Sequence, residues 1–198
     1  MYFDLKNRIY VVTGASGGIG SALVNLLNKE GAELFLIDTD QTSLDQLKKE
    51  QATHQNQNYF INSNLKDFKE ITDNLQKPIS GIIHLAGQLE SDNVTSNKKP
   101  IWERAIQNNL TNAYDIIENL IPFFDKNIIG KIILTSSLAY RRGGFDFIPY
   151  TASKGGITGL VRAYSRKLAP EILVNGLAPG IIDTKMPKKL IENRGDEL

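Results

Sequence analysis

Six short runs of almost unbroken apolar residues punctuate the chain: Ile9 to Thr13, Leu34 to Asp38, Tyr59 to Asn62, Gly81 to Leu85, Lys131 to Ser136 and Leu173 to Leu177. Runs this short, rich in Ile, Val and Leu, predict strands covered on both faces, the condition of a parallel sheet. Between several of them the apolar residues recur at helical spacing instead. Ile19, Leu23, Leu26 and Leu27 fall on one helical face, with Gly31 after Glu30 as a stop. A second helix opens at Pro100 and carries Trp102, Ala105, Ile106, Asn109, Ala113, Ile116, Ile117 and Leu120 on one stripe, which makes Asn109 a polar residue on a buried face. A third, from about Thr151 to Leu168, presents Ile157, Leu160, Val161, Tyr164 and Leu168. Strands alternating with helices predict βαβ units and an α/β fold: a doubly wound open parallel sheet in three layers, α/β/α. The polar stretches Gln51 to Asn58 and Ser91 to Lys99 read as exposed loops rather than linkers, so residues 1–198 are read as one domain.

Composition narrows the function more than the fold. Of 198 residues, 23 are Lys or Arg and 22 Asp or Glu, a net charge of +1 that gives no single-sign field and argues against nucleic acid as a partner. The chain has no cysteine, which excludes a disulfide framework, thiolate ligands and a thiol nucleophile and suits a reducing cytoplasm. With His54 and His84 as the only histidines, no metal site is expected. Apolar runs such as Leu34 to Ile37 fall far short of the ~18 residues that cross a bilayer, and the first residues, MYFDLKNRIYVV, lack a signal-peptide core. A cytoplasmic protein with no membrane partner is expected.

The chemistry concentrates in two places. Thr13-Gly14-Ala15-Ser16-Gly17-Gly18-Ile19-Gly20 follows a strand and opens a helix. Glycine there admits a diphosphate close to the backbone, and the helix N-terminus offers free N–H groups and a positive dipole end. A tight turn with no ligand is the alternative. Asp38, 18 residues beyond Gly20, ends the second strand, where a carboxylate can accept from the ribose hydroxyls of a dinucleotide and repel a 2′-phosphate. Neither the turn nor Thr39-Asp40 carries Arg or Lys, which favours NAD over NADP. Further on, Tyr150-Thr151-Ala152-Ser153-Lys154 sets a phenol and an ammonium four residues apart on one helical face. A cation beside a phenol favours its ionised form and suits it to general acid/base work. Ser137 stands 13 residues earlier, just past the carboxyl end of a strand, the edge where open α/β sheets bind ligands.

The T-G-x-x-x-G-x-G spacing of Thr13, Gly14, Gly18 and Gly20, the Ser137, Tyr150 and Lys154 set, and Val174-Asn175-Gly176-Leu177-Ala178-Pro179-Gly180 followed by Thr184 together resemble the short-chain dehydrogenase/reductase family. The resemblance runs from Tyr10 to Thr184 and implies a Rossmann-like fold whose glycine turn, including Ser16 and Ile19, holds the adenosine ribose and diphosphate. It implies that Ser137 binds the substrate oxygen and Tyr150 passes the proton. Lys154 would hold the nicotinamide ribose and lower the tyrosine pKa, and Asn109 would fix a water linking Lys154 to solvent. A core asparagine capping backbone groups is the plainer reading of Asn109. Pro179, Gly180, Ile182 and Thr184 would meet the nicotinamide end, Ala86 and Gly87 the adenine side, and relatives typically pair through the second and third helices as homo-oligomers, dimers or tetramers.

Three departures stand out. His84-Leu85 replaces two asparagines that precede Ala86-Gly87 in relatives, and Asn64 stands where an aspartate usually reaches the adenine amino group. After Thr184 only residues 185–198 follow, read as the start of a substrate lid, so the family's last helix and strand are expected to be absent and the sixth strand to lie at an edge. The expected activity is hydride transfer between NAD(H) and a carbonyl or secondary alcohol on a small molecule. The alternatives are an NADPH-dependent ketone or 3-oxoacyl reductase, and a non-catalytic protein that keeps the fold.

Overall fold

The computed structural model describes residues 5–53, 56–94 and 96–186. Six parallel strands form one sheet in the order β3-β2-β1-β4-β5-β6. They are β1 (Ile9–Thr13), β2 (Glu33–Asp38), β3 (Asn58–Asn62), β4 (Gly81–His84), β5 (Gly130–Thr135) and β6 (Ile172–Leu177). Order reverses between β1 and β4, so the carboxyl ends of those strands flank a crevice.

Helices cover both faces, and alternate residues of each strand serve different layers. Val12, Leu34, Leu36 and Ile83 pack with Val24 and Leu27 of α1 (Gly18–Lys29) and Leu47 of α2 (Gln41–Gln51). On the other face Val11, Ile82, Ile132 and Leu134 meet Ile71 of α3 (Lys69–Asn74), Ile116, Ile117 and Leu120 of α5 (Asn112–Leu120), and Ile157 and Tyr164 of α7 (Ile148–Lys167). Helix α4 (Lys99–Ala105) runs into α5 through a π-helical segment, Ile106–Thr111, and α6 (Ala139–Arg142) is a single turn after β5.

The strands fall where the apolar runs place them, but two helical stripes need correction. Ile19 and Leu26 are 40% and 50% exposed, and Val24, absent from the expected stripe, is fully buried. Ile19 belongs to the glycine turn's own surface, which rotates the buried face of α1 toward Val24, Leu27 and Asn28. Trp102 is likewise 46% exposed, while Ile101 takes the core position in α4. Among the described residues β6 lies at an edge of the sheet: Ile172 and Val174 face α7's side and are buried, whereas Leu173 and Leu177 are exposed. Among the described residues no helix or strand follows β6. None of the helices there is long and apolar enough to cross a membrane.

Candidate active site

The glycine turn is built by steric necessity at two positions. Gly14 adopts φ +66°, a left-handed conformation, and a Cβ there would lie 2.8 Å from the Ala86 nitrogen. A Cβ on Gly20 would stand 2.1 Å from the Gly14 carbonyl oxygen. Helix α1 therefore begins pressed against the turn. Its N-cap, Gly17, offers no side-chain acceptor, and its first turn carries no acidic residue. The opening N–H groups and the positive dipole end lie at the crevice uncapped by any side chain, an arrangement that fits a diphosphate.

A cleft of about 550 Å³ runs from this turn along the strand ends, lined by Gly14, Ser16, Gly18, Ile19, Gly20 and Asp38, with Thr135 and Thr184. Asp38 is held by Ser16, whose N–H and hydroxyl donate to Oδ2 at 2.9 and 2.7 Å, and by the Thr39 and Asp40 N–H groups at Oδ1. The carboxylate is thus aimed before any ribose arrives. Thr184 packs against Gly18, where an added Cβ would come within 2.4 Å of its methyl carbon. Among the cleft's neighbours that the sequence does not mark as site residues are Thr135, Asp40 and Lys185. Hydrogen bonds from the Ser43 side chain and N–H, and further off the Lys185 charge, hold the Asp40 carboxyl below its ordinary value.

On the far side of the strand ends, Ser137, Tyr150, Lys154 and Asn109 converge. Pro149 in the first turn of α7 places Tyr150 and Lys154 one turn apart, with Nζ 5.7 Å from the ring centroid. Tyr150 lies beside Ser137, whose hydroxyl acts to lower the phenol pKa, and Ser137 Oγ accepts from the Ala139 N–H at 3.2 Å. Lys154 is buried and donates to the Thr135 carbonyl at 2.8 Å. Burial lowers its ammonium to about 8, still largely charged at neutral pH. Asn109 is fully buried in the π segment: its Oδ1 accepts from the Gln88 N–H at 2.7 Å and its Nδ2 donates to the Gln88 carbonyl at 3.0 Å. Its amide therefore clamps the loop after β4, which is the plainer of the two readings. Gly87 lies between, and a Cβ there would sit 2.7 Å from Asn109 Oδ1 and 3.1 Å from Lys154 Nζ.

One expectation is corrected here. Tyr150 has its pKa raised, not lowered: burial dominates over the Ser137 hydrogen bond, and the Lys154 ammonium is drawn to a backbone carbonyl rather than to the phenol oxygen. The Asn64 Oδ1 accepts from the Lys66 N–H at 3.1 Å. The remaining expected residues lie at the strand ends. The Ala86 N–H donates to Thr13 Oγ1, the Pro179 carbonyl accepts from Leu138, Gly180 packs near Leu138, and Ile182 is half exposed. Among the described residues no cluster of His, Cys, Asp or Glu could hold a metal.

A parallel sheet with an anion-ready glycine turn, a carboxylate at the ribose end and a Ser-Tyr-Lys group across the crevice defines a dinucleotide-dependent oxidoreductase. The family pattern of short chain dehydrogenases matches residues 8–195, and this chain belongs to that family, the NAD(P)-dependent dehydrogenases and reductases. It is 30% identical over 195 residues, 95% of this chain and 79% of the relative, to a 3-oxoacyl-[acyl-carrier-protein] reductase of Thermotoga maritima. An acetoacetyl-CoA reductase of Synechocystis is 30% identical over 200 residues, covering 96% of this chain and 78% of that one. Among solved structures, a short-chain dehydrogenase/reductase of the glucose/ribitol dehydrogenase type from Brucella melitensis superposes with a TM-score of 0.90 at 30% identity, over 100% of this chain and 82% of that one.

Proposed function

We propose that the protein is an NAD-linked reductase of small carbonyl compounds, carried by one observation: a half-buried Tyr150 phenol next to Ser137, on the same helix face as a buried and charged Lys154. When bound, the nicotinamide supplies the hydride chemistry. Ser137 then hydrogen-bonds the substrate oxygen, and Tyr150 transfers a proton to it. An ammonium has three donors, and Lys154 spends one on the Thr135 carbonyl, leaving two for the nicotinamide ribose. A phenol is protonated at neutral pH, and partial burial raises the Tyr150 pKa further, so the side chain can donate its proton to the substrate oxygen.

The preference for NAD rests on Asp38, whose preset carboxylate repels a 2′-phosphate. Among the described residues, Lys185 is a cation that lines this end of the cleft, and its charge acts on Asp40. Reduction of a 3-oxoacyl thioester, the chemistry named for two relatives, is the first substrate class to assay. We read the protein as cytoplasmic and as a homo-oligomer built on α5 and α7, where Tyr114 is 48% exposed beside Tyr164. Tyr150→Phe is expected to abolish NADH-dependent reduction while leaving NADH binding within about twofold, since the phenol's role is proton transfer. Undiminished turnover in that variant would remove Tyr150 from the mechanism.

A further inference from the structure

His84 occupies a position that neither the glycine turn nor the Ser-Tyr-Lys group explains. It ends β4, in register with Thr13 of β1 and Leu134 of β5, and is 1% exposed. Its Nδ1 lies 2.8 Å from Thr13 Oγ1, and that hydroxyl also accepts from the Ala86 N–H at 3.2 Å. The other ring nitrogen, Nε2, is buried without a partner. A buried imidazole nitrogen lacking a hydrogen bond is costly in either tautomer, so such an atom marks a missing ligand, most simply water.

Sheet order shows where that atom is directed. β4 lies between β1 and β5, and Nδ1 is taken up on the β1 side, so Nε2 is turned away from β1. Lys154 Nζ is anchored to the β5 carbonyl of Thr135, and its charge is felt at the imidazole. Asn109, the polar side chain closest to Gly87 on this side, has both amide atoms committed to Gln88.

We propose that His84 is a positioning residue for Lys154: its Nε2 holds a buried water that solvates the Lys154 ammonium, while its Nδ1 ties the same assembly through Thr13 to the glycine turn. Lys154 stays charged in a buried site because it keeps this polar neighbour. The titratable groups beside it are Tyr150 on α7 and His84 on β4, and burial is the dominant cause of its lowered pKa. The proposal rests on Lys154 meeting the nicotinamide ribose.

The test follows NADH affinity by fluorescence from pH 6 to 10 in the unaltered protein, His84→Asn and His84→Leu, each first shown to be folded. Affinity in the unaltered protein should break near 8, where Lys154 loses its proton. In His84→Leu the break should move down by about one unit, which takes the charged fraction at pH 8 from about one half to about one tenth, a roughly fivefold loss of affinity. His84→Asn, which keeps a polar side chain, should restore the original break. Identical breaks in all three proteins would overturn the proposal. Should His84→Leu not fold, nitrogen-15 NMR of the unaltered protein decides: with two histidines in the chain, His84→Asn assigns the ring signals, and an Nε2 shift free of any hydrogen bond overturns it. If NADH does not bind the unaltered protein at all, the functional reading fails, while the NMR result still stands or falls alone.

Discussion

Gly20→Ala is the substitution for which the structure sets the clearest magnitude. Carbon and oxygen in ordinary contact lie about 3.3–3.6 Å apart. The new methyl would stand 2.1 Å from the Gly14 carbonyl oxygen and 2.7 Å from that of Ala15, both backbone atoms with no side-chain rotation to relieve them. Either the first turn of α1 or the whole Thr13 to Ser16 turn must retreat by about 1 Å. Overpacking of this kind costs about 1–3 kcal/mol, against which the better helix propensity of alanine returns about 0.5–1 kcal/mol. For a chain of this size the net loss, up to about 2.5 kcal/mol, lowers Tm by up to about 10 °C. NADH binding should suffer more, by about tenfold or beyond, because the turn that receives the diphosphate has itself moved. Differential scanning calorimetry and NADH fluorescence titration read the two effects, with Leu26→Ser as a control at a half-exposed position of the same helix. A Gly20→Ala protein that melts and binds like its parent would refute the reasoning.

Other outcomes follow from the same geometry. Asp38→Asn removes the charge that faces a 2′-phosphate and should raise NADPH affinity relative to NADH by about fivefold to tenfold, measured by paired titrations. The His84 imidazole takes a proton at 6.5 in the unfolded chain but only near 3 when buried, where desolvation and then the Lys154 charge oppose it. Below pH 6.5 the unfolded state therefore binds the extra proton, and stability falls by up to about 1.4 kcal/mol per pH unit until the folded pKa is reached. In urea melts at pH 7, 6 and 5, the stability difference between the unaltered protein and His84→Asn should shrink as pH drops; a constant difference would contradict the burial of a neutral imidazole.

Much of this architecture is visible in the chain because parallel strands buried on both faces leave continuous apolar runs, and all six appear within a residue or so of their limits. Helices α2 and α3 leave no comparable trace: both are largely polar and exposed, α2 with Leu44, Leu47 and Gln51 buried and α3 with Ile71 alone. The phase of α1 differs from its apolar stripe because Ile19 serves the turn rather than the core. Within the site, residues that act through neighbours in sequence were legible, as the Tyr150 and Lys154 pair shows. Thr135 and Lys185 were not, since what brings them to the cleft is the register of β5 and the path of the chain after β6. The direction of the Tyr150 shift also depends on three-dimensional burial, which spacing alone does not carry.

The central claim is tested most directly by titrating the folded protein with NADH and, separately, NADPH while following nicotinamide fluorescence, a measurement that needs no substrate. The assembled glycine turn, the preset Asp38 carboxylate and the Lys154 ammonium predict saturable binding of NADH at least about tenfold tighter than NADPH. Equal or tighter binding of NADPH would contradict the role given to Asp38, and binding of neither dinucleotide would contradict the account as a whole.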